Sequence, residues 1–593
     1  MNFKLTDNSL MRNNHLFQRF KEGNFTISVR QQIFIFSFLI NLLFIPLGLA
    51  SPNEGSRYLL IKTISENNSL SWPSNWANSY GGFWFFPDFG INNGFVSDKA
   101  PGLSLLLVPF YLVAKTIFLL LVGPTVTTAN IYTNYDNFVI YMLKLALIVL
   151  ASYTMVRMFD LLNLLSPRRN QNVLIAGIAC LGTLFLLYIP TFFPSLVSAF
   201  LYISIIYHLI QYDRFQKNSD LIIAGIFAGF SVVVEYGSLL MIPWFIGYIL
   251  SKDLLLNHKI NLKGLLILVI TIIFGMIPLF LYNFAISGNP LQTSYYFSHW
   301  VSQINFFHNL VYGISLLLFD YNKGLFIFNP ILFLGCIGFL HPDYYKKNIR
   351  EILLIVVPSL VFIIFYAKNF DPTGGAAVGP RYIIAIIPLL AIGLQGWFLI
   401  ANRFSFFLNS VFSFISFRNT ILAVLNVGVY PGSDQLNPIA TQAVPRFINN
   451  QFHPILLQTD QPLFVALALA IILTLSLINY DKLYNLFTYL FSSHTIRSEE
   501  RNVVESVERS STSVILSDKQ RNQLIFSTLW LMIVFLAVFL TFGIQYLSKE
   551  YYAVIPPNNI SDRAVILLLI IIASLATLRK YTSFSFKQFI KGE

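Results

Sequence analysis

Of 593 residues, 55% are apolar and only 11% are charged, against about 25% charged in a soluble globular chain. That composition excludes a soluble enzyme and a coiled coil, and the continuous apolar runs exclude a porin-type barrel, whose strands would alternate. The net charge of +12 is topological on this reading, with Lys and Arg holding loops on the cytoplasmic side, so no nucleic-acid partner is expected. The two cysteines, Cys180 and Cys336, both lie in apolar runs, which leaves neither a disulfide framework nor a zinc spacing.

In chain order, residues 1–32 form a polar tail placed in the cytoplasm, followed by a retained first span at 33–50. Further apolar runs at 138–158, 172–190, 195–212, 221–234, 237–250, 264–284, 325–340, 351–367, 382–401, 405–430, 463–479, 524–546 and 563–578 predict an all-α polytopic membrane protein of about 13–14 transmembrane helices. Leu103–Val122 is also long enough to cross. If it crossed, however, the short Arg- and Lys-bearing loops after it would face outward, against the positive-inside rule. It is therefore read as an interfacial helix within one long extracytoplasmic loop, 51–137. Outer loops at 285–324, 368–381 and 431–462 are long and aromatic, which points to packed, working loops. The Ser-rich, mixed-charge 480–523 segment reads as a flexible cytoplasmic loop, separating a main body from two terminal spans and a basic tail at 524–593.

Charge at membrane depth or at the interface marks function, and four outer clusters carry it. Asn53-Glu54-Gly55-Ser56-Arg57-Tyr58 follows span one, and Ser97-Asp98-Lys99-Ala100-Pro101-Gly102 opens the interfacial helix. Glu235-Tyr236-Gly237 joins two short spans. Asp371-Pro372-Thr373-Gly374-Gly375 precedes Gly379-Pro380-Arg381-Tyr382. Each has an ordinary reading beside the functional one: a helix N-terminal turn, a snorkelling lysine, a hairpin turn in water, and an aromatic-belt tyrosine. The functional reading is a phosphate grip, Lys as a point charge and Arg as a fork. No Walker A, GxSxG, HExxH or dinucleotide fingerprint occurs. His299 and His308 read as packing residues. No dense carboxylate cluster calls for a metal, and no cofactor is expected.

Taken together, these segments resemble the GT-C superfamily of integral-membrane glycosyltransferases, in the branch of protein mannosyltransferase-like and lipid A aminoarabinose transferase-like enzymes. The D-x-x-R-Y motif of that family's first outer loop reads here Glu54-Gly-Ser-Arg57-Tyr58, and its lysine-proline element reads DKAPGLSLLLVP. VVVEYGSLLMIP, LYNFAISGNPLQTSYYF, GLFIFNP and GPRYIIAIIP match in kind and order, so the resemblance covers roughly 33–402. Two departures stand out. Glu replaces Asp at position 54, and Thr191-Phe-Phe-Pro194 stands where many relatives carry an acid or His. A second catalytic acid is thus absent or supplied elsewhere, by Asp88 or Glu235.

The resemblance implies transfer of a monosaccharide from a polyprenyl-phosphate donor to a lipid, polysaccharide or protein acceptor. Transfer would take place at the outer face of a bacterial inner membrane, with the bilayer holding the polyprenyl tail. It assigns Glu54 as general base of an inverting reaction and Lys99, Arg381 and Arg57 as donor-phosphate ligands. Asp98 orients Lys99, and Tyr58, Asp88, Glu235 and Tyr382 support the site. Trp72, Trp76, Trp84 and Trp300 are candidates to stack on sugar. A non-catalytic flippase or export component for lipid-linked sugars is the alternative. It needs the same phosphate grips but no base at Glu54.

Overall fold

The structure is a computed structural model. It describes residues 28–46, 48–49, 51–73, 89–91, 94–122, 134–252, 261–297, 309–369, 371–400, 403–429, 431, 437–449 and 451. The expected spans at 463–479, 524–546 and 563–578 and the 480–523 loop lie outside these residues, as do Asp88, Trp76, Trp84, Trp300, His299 and His308.

The chain is an all-α polytopic membrane protein. Its first half runs through α1 (Val29–Leu43), α2 (Pro52–Asn67), α3 (Gly102–Val122), α4 (Asn134–Leu165), α5 (Arg169–Leu181) and α6 (Phe185–Tyr188). Next come α7 (Ser195–Phe215), α8 (Asn218–Val234), α9 (Ile242–Lys252), α10 (Leu262–Ser287) and α11 (Leu310–Phe319). The series ends with α12 (Leu325–Phe328), α13 (Ile331–Gly338), α14 (Pro342–Ala367), α15 (Ile387–Ala391), α16 (Leu394–Trp397), α17 (Arg403–Asn426) and α18 (Val444–Ile448). Among the described residues six helices, within α3, α4, α7, α10, α14 and α17, are long and apolar enough to cross a bilayer.

Local chemistry sets the helix ends. Ser28 and Gln31 form a capping box at α1. Ser51 caps α2, Pro52 occupies its first turn, and Asn68 ends it in the left-handed region. Helices α8 and α10 approach so closely that a Cβ added at Gly229 would stand 2.0 Å from the Ile272 carbonyl oxygen. Only glycine admits that crossing.

Several expected spans are interrupted. The 172–190 run divides into α5 and α6, 325–340 into α12 and α13, and 382–401 into a 3-10 turn, α15 and α16. The 237–250 run opens with a 3-10 turn, Tyr236–Met241. Proline or glycine lies in or beside each of these runs, and such residues break the helical ladder. The second outer loop is a loop only in part, because α11 occupies Leu310–Phe319. Three short strands, β1 (Trp72–Pro73), β2 (Phe89–Ile91) and β3 (Gly94–Val96), form a small antiparallel sheet in the order β1-β3-β2.

Polar ties sort the segments into two ends. At one, Arg30 bridges to Asp160 at 2.7 Å, and Arg350 reaches Asp213 at 3.1 Å. At the same end Gln395 donates to Leu162 O and Asn172 Oδ1, and accepts from Tyr344. These are the segments that charge placed in the cytoplasm. The opposite end gathers the start of α2, the Ser97–Lys99 turn, Phe192, Glu235 and Arg381. Helix α3 begins at this second end. Gly102 packs on the Val233–Val234 backbone, and Ser104 donates to Arg57 O at 3.1 Å. Tyr111 and Phe118, two turns apart, both meet Tyr135 in the first turn of α4, with ring centroids 6.5 and 5.1 Å away.

Candidate functional site

Helix α2 carries the first outer motif into the protein. Glu54 sits in its first turn, where the helix dipole favours a carboxylate, and is fully buried. Its Oε1 accepts from the Phe192 backbone N–H at 2.8 Å. The segment in which the family pattern would lead one to look for a second acid thus supplies a backbone donor to the first.

Arg57, one turn on, is also buried. Its Nη1 donates to Asn53 O at 3.0 Å, while Nε has no hydrogen-bond partner among the described residues. Burial pulls the guanidinium below its ordinary range, and the charges of Glu235 and Asp98 oppose that pull. The second motif comes to the same place because Ser56 Oγ and Ser97 Oγ lie 2.7 Å apart and Tyr282 donates to Ser97 O at 3.3 Å. There the Lys99 ammonium pairs with Asp98 at 2.7 Å and stands 5.9 Å from the centre of the Tyr295 ring.

Glu235, the residue after α8, accepts from the Tyr366 hydroxyl at 3.0 Å. Burial raises its carboxyl above the ordinary range, with Arg57, Tyr366, Arg381 and Lys99 acting in the other direction. The Tyr366 ring stacks on Tyr382 at 4.8 Å and 11°. Arg381 lies over Tyr382 at 5.0 Å and over Phe193 at 5.5 Å. The preceding turn is fitted around this arginine. Arg381 N donates to Thr373 O at 3.0 Å, and Gly374 N to Asp371 Oδ1 at 3.2 Å. Gly374 holds φ of +89°, and a Cβ there would stand 3.0 Å from Arg381 Nε. Both the backbone angle and the space call for glycine. Lys323 Nζ ties the same turn by donating to Gly375 O at 2.6 Å.

Arg57, Lys99, Arg381, Asp98, Glu235 and Tyr382 are therefore brought together by segments from four parts of the chain. Three cations face two carboxylates, which leaves a positive surplus inside a ring of tyrosines. Such a surplus can hold a phosphate monoanion or diester, with Arg as a planar fork and Lys as a point charge. Glu54 lies one helical turn from this cluster.

Tyr58 turns its hydroxyl away from the cluster, while its ring stacks on that of Phe192, whose N–H holds Glu54, at 6.4 Å and 9°. The Tyr58 hydroxyl donates to Asp136 Oδ1 at 2.5 Å, and Asp136 also binds the buried Lys62 at 2.8 Å. Beside that pair, Glu66 accepts from Tyr111 at 2.5 Å and from Tyr135 at 3.1 Å. The separation follows from helix geometry, since residues 57 and 58 project about 100° apart. The motif reading had grouped Tyr58 with the site. It had not picked out Tyr236, Tyr295 or Tyr366, which lay inside quoted motifs or an apolar span with only their aromatic character as a signal.

No protein-family model matches the chain, and no curated protein matches it in sequence. Solved structures do show similarity of chain course. One is ArnT from Cupriavidus metallidurans bound to undecaprenyl phosphate, with 11% identity over 66% of this chain and 69% of that one, and a TM-score of 0.38. Another is the archaeal oligosaccharyltransferase AglB from Archaeoglobus fulgidus, in complex with an inhibitory peptide and a dolichol-phosphate. That match has 12% identity over 67% of this chain, with a TM-score of 0.39. The match spans 55%, about half, of the length of AglB.

Proposed function

We propose that the protein is a membrane glycosyltransferase that takes a monosaccharide from a polyprenyl-phosphate donor at the end of the bundle where α3 begins. The observation that carries this reading is the convergence of Arg57, Lys99 and Arg381, with Asp98 and Glu235, at the head of a helix whose exposed side is apolar. Phe110, Leu112, Val113, Leu119 and Leu120 are exposed along α3, so a lipid tail can lie on the helix while its phosphate reaches the cations.

In the proposed reaction the acceptor hydroxyl attacks the anomeric carbon and passes its proton to Glu54, a general-base role. The new C–O bond forms as the bond from the anomeric carbon to the phosphate oxygen breaks. Attack opposite the leaving group inverts the configuration. Arg57, Lys99 and Arg381 take up the charge that grows on the departing polyprenyl phosphate. Phosphate leaves as an anion, so no separate acid is required. Asp98 holds Lys99 in place, and Glu235 sets the charge balance around Arg57. The acceptor class is a lipid, polysaccharide or protein on the outer side, and the setting is a bacterial inner membrane.

The test uses purified protein with a panel of radiolabelled polyprenyl-phosphate monosaccharides and crude membrane acceptors. Transfer that is lost in Glu54→Gln and Lys99→Ala, both folded, supports the reading. Donor binding that needs Lys99, with full donor turnover in Glu54→Gln, overturns the base assignment. Binding without transfer from any donor would favour a lipid-sugar handler.

A further inference from the structure

We infer that Lys144, deep inside α4, is a positioning residue for Glu54. The inference rests on the proposed role of Glu54 as base. Lys144 is 1% exposed and lies about ten residues into a membrane-crossing helix. An intramembrane ammonium is costly and needs a partner. Its Nζ donates to Pro46 O at 3.1 Å and to Gly48 O at 2.5 Å. Both carbonyls belong to the link between α1 and α2, immediately before the Ser51 cap that starts the helix bearing Glu54. Gly48 has φ of +62°, a left-handed conformation that lets the link turn.

The charge to which Lys144 couples is Glu54. The other charged groups of α2 lead elsewhere: Arg57 to Glu235 and Asp98, and Lys62 to Asp136. From the α6–α7 connection, the Phe192 backbone N–H donates to Glu54. Glu54 thus accepts a directed hydrogen bond from Phe192, and the buried Lys144 ammonium on α4 acts on its charge. The same ammonium also clamps the start of its helix. Lys144 touches no part of the cation cluster, so it acts through Glu54 and not on the donor phosphate.

This gives two readouts. In the transfer assay, folded Lys144→Met should lose about 10- to 100-fold in kcat, the cost of a slightly misplaced group, while donor KM stays within about twofold. In thermal unfolding of the purified full chain, Glu54→Gln and Lys144→Met should each lower Tm, because each strands one partner. The double variant should lose clearly less than the sum of the two. Unchanged kcat in a folded Lys144→Met protein would overturn the inference, as would strictly additive Tm losses. The unfolding cycle needs no substrate. It therefore decides the pairing even if no donor is ever turned over, which separates failure of this inference from failure of the proposed function.

Discussion

The two ends of the bundle use charge in opposite ways. At the end holding Arg30, Asp213 and Arg350, charges are matched within short range. Arg350 forks onto Asp213 at 3.1 and 3.5 Å and lies over Tyr248, and Arg30 takes Asp160. At the other end three cations meet two carboxylates, Arg57 keeps an unpartnered Nε among the described residues, and aromatic rings replace counter-ions around Arg381. Matched pairs close a structure. A surplus kept buried at some cost is poised for a charge that arrives from outside.

The sharpest break of this contrast is at Glu54. Glu54→Gln keeps shape and the hydrogen bond from Phe192 N but cannot take a proton, and the expected loss of transfer is about 10²–10⁴-fold. Initial rates with saturating donor measure it. A smaller effect is expected from Arg381→Lys, which keeps the charge and loses the planar stack between Phe193 and Tyr382. Transfer should fall about 10- to 100-fold, the worth of a charge-assisted hydrogen bond, with donor affinity carrying most of the loss. At the opposite end Arg350→Ala should leave transfer per folded molecule unchanged. It should cost about 1–3 kcal/mol of stability, seen as a lower Tm. Transfer loss in that variant without loss of stability would erase the distinction between the ends.

Much of this was legible in the chain. The apolar runs gave the helical bundle, because hydropathy is a composition effect that survives any detail of packing. The interfacial reading of α3 rests on charge: its own sequence is apolar enough to span, and Arg168, Arg169, Arg214 and Lys217 further along argue otherwise. Glu54, Arg57, Lys99 and Arg381 stood out as charge where charge is expensive. Tyr58 reaches the site through the stack of its ring on Phe192 and not through its hydroxyl, because neighbours on a helix project about 100° apart. Tyr295 and Tyr366 could not be placed, since an aromatic at a membrane boundary has a sufficient explanation without a partner. Lys144 did carry a signal. It interrupts the 138–158 run, a charge at membrane depth that lies outside the four outer clusters.

The smallest expected effect sharpens the comparison through pH. Burial holds the Glu235 carboxyl above the ordinary carboxylate range, and Arg57, Tyr366, Arg381 and Lys99 only partly offset that. Between the ordinary value and the raised one, the unfolded chain has released this proton and the folded chain still holds it. The unfolded state then binds fewer protons, so stability falls as pH rises through that window. Glu235→Gln removes the titration. Its Tm should be flatter with pH than the wild type's across the window, and relatively higher above it. Arg57 sets the limit of the gain: without the carboxylate, the guanidinium keeps only Asp98 as a named opposing carboxylate. An anion should then bind the cluster more tightly in Glu235→Gln, measurable as a larger rise in Tm with added inorganic phosphate. A variant with the wild-type pH slope and no gain from phosphate would place Glu235 among the matched charges of the other end.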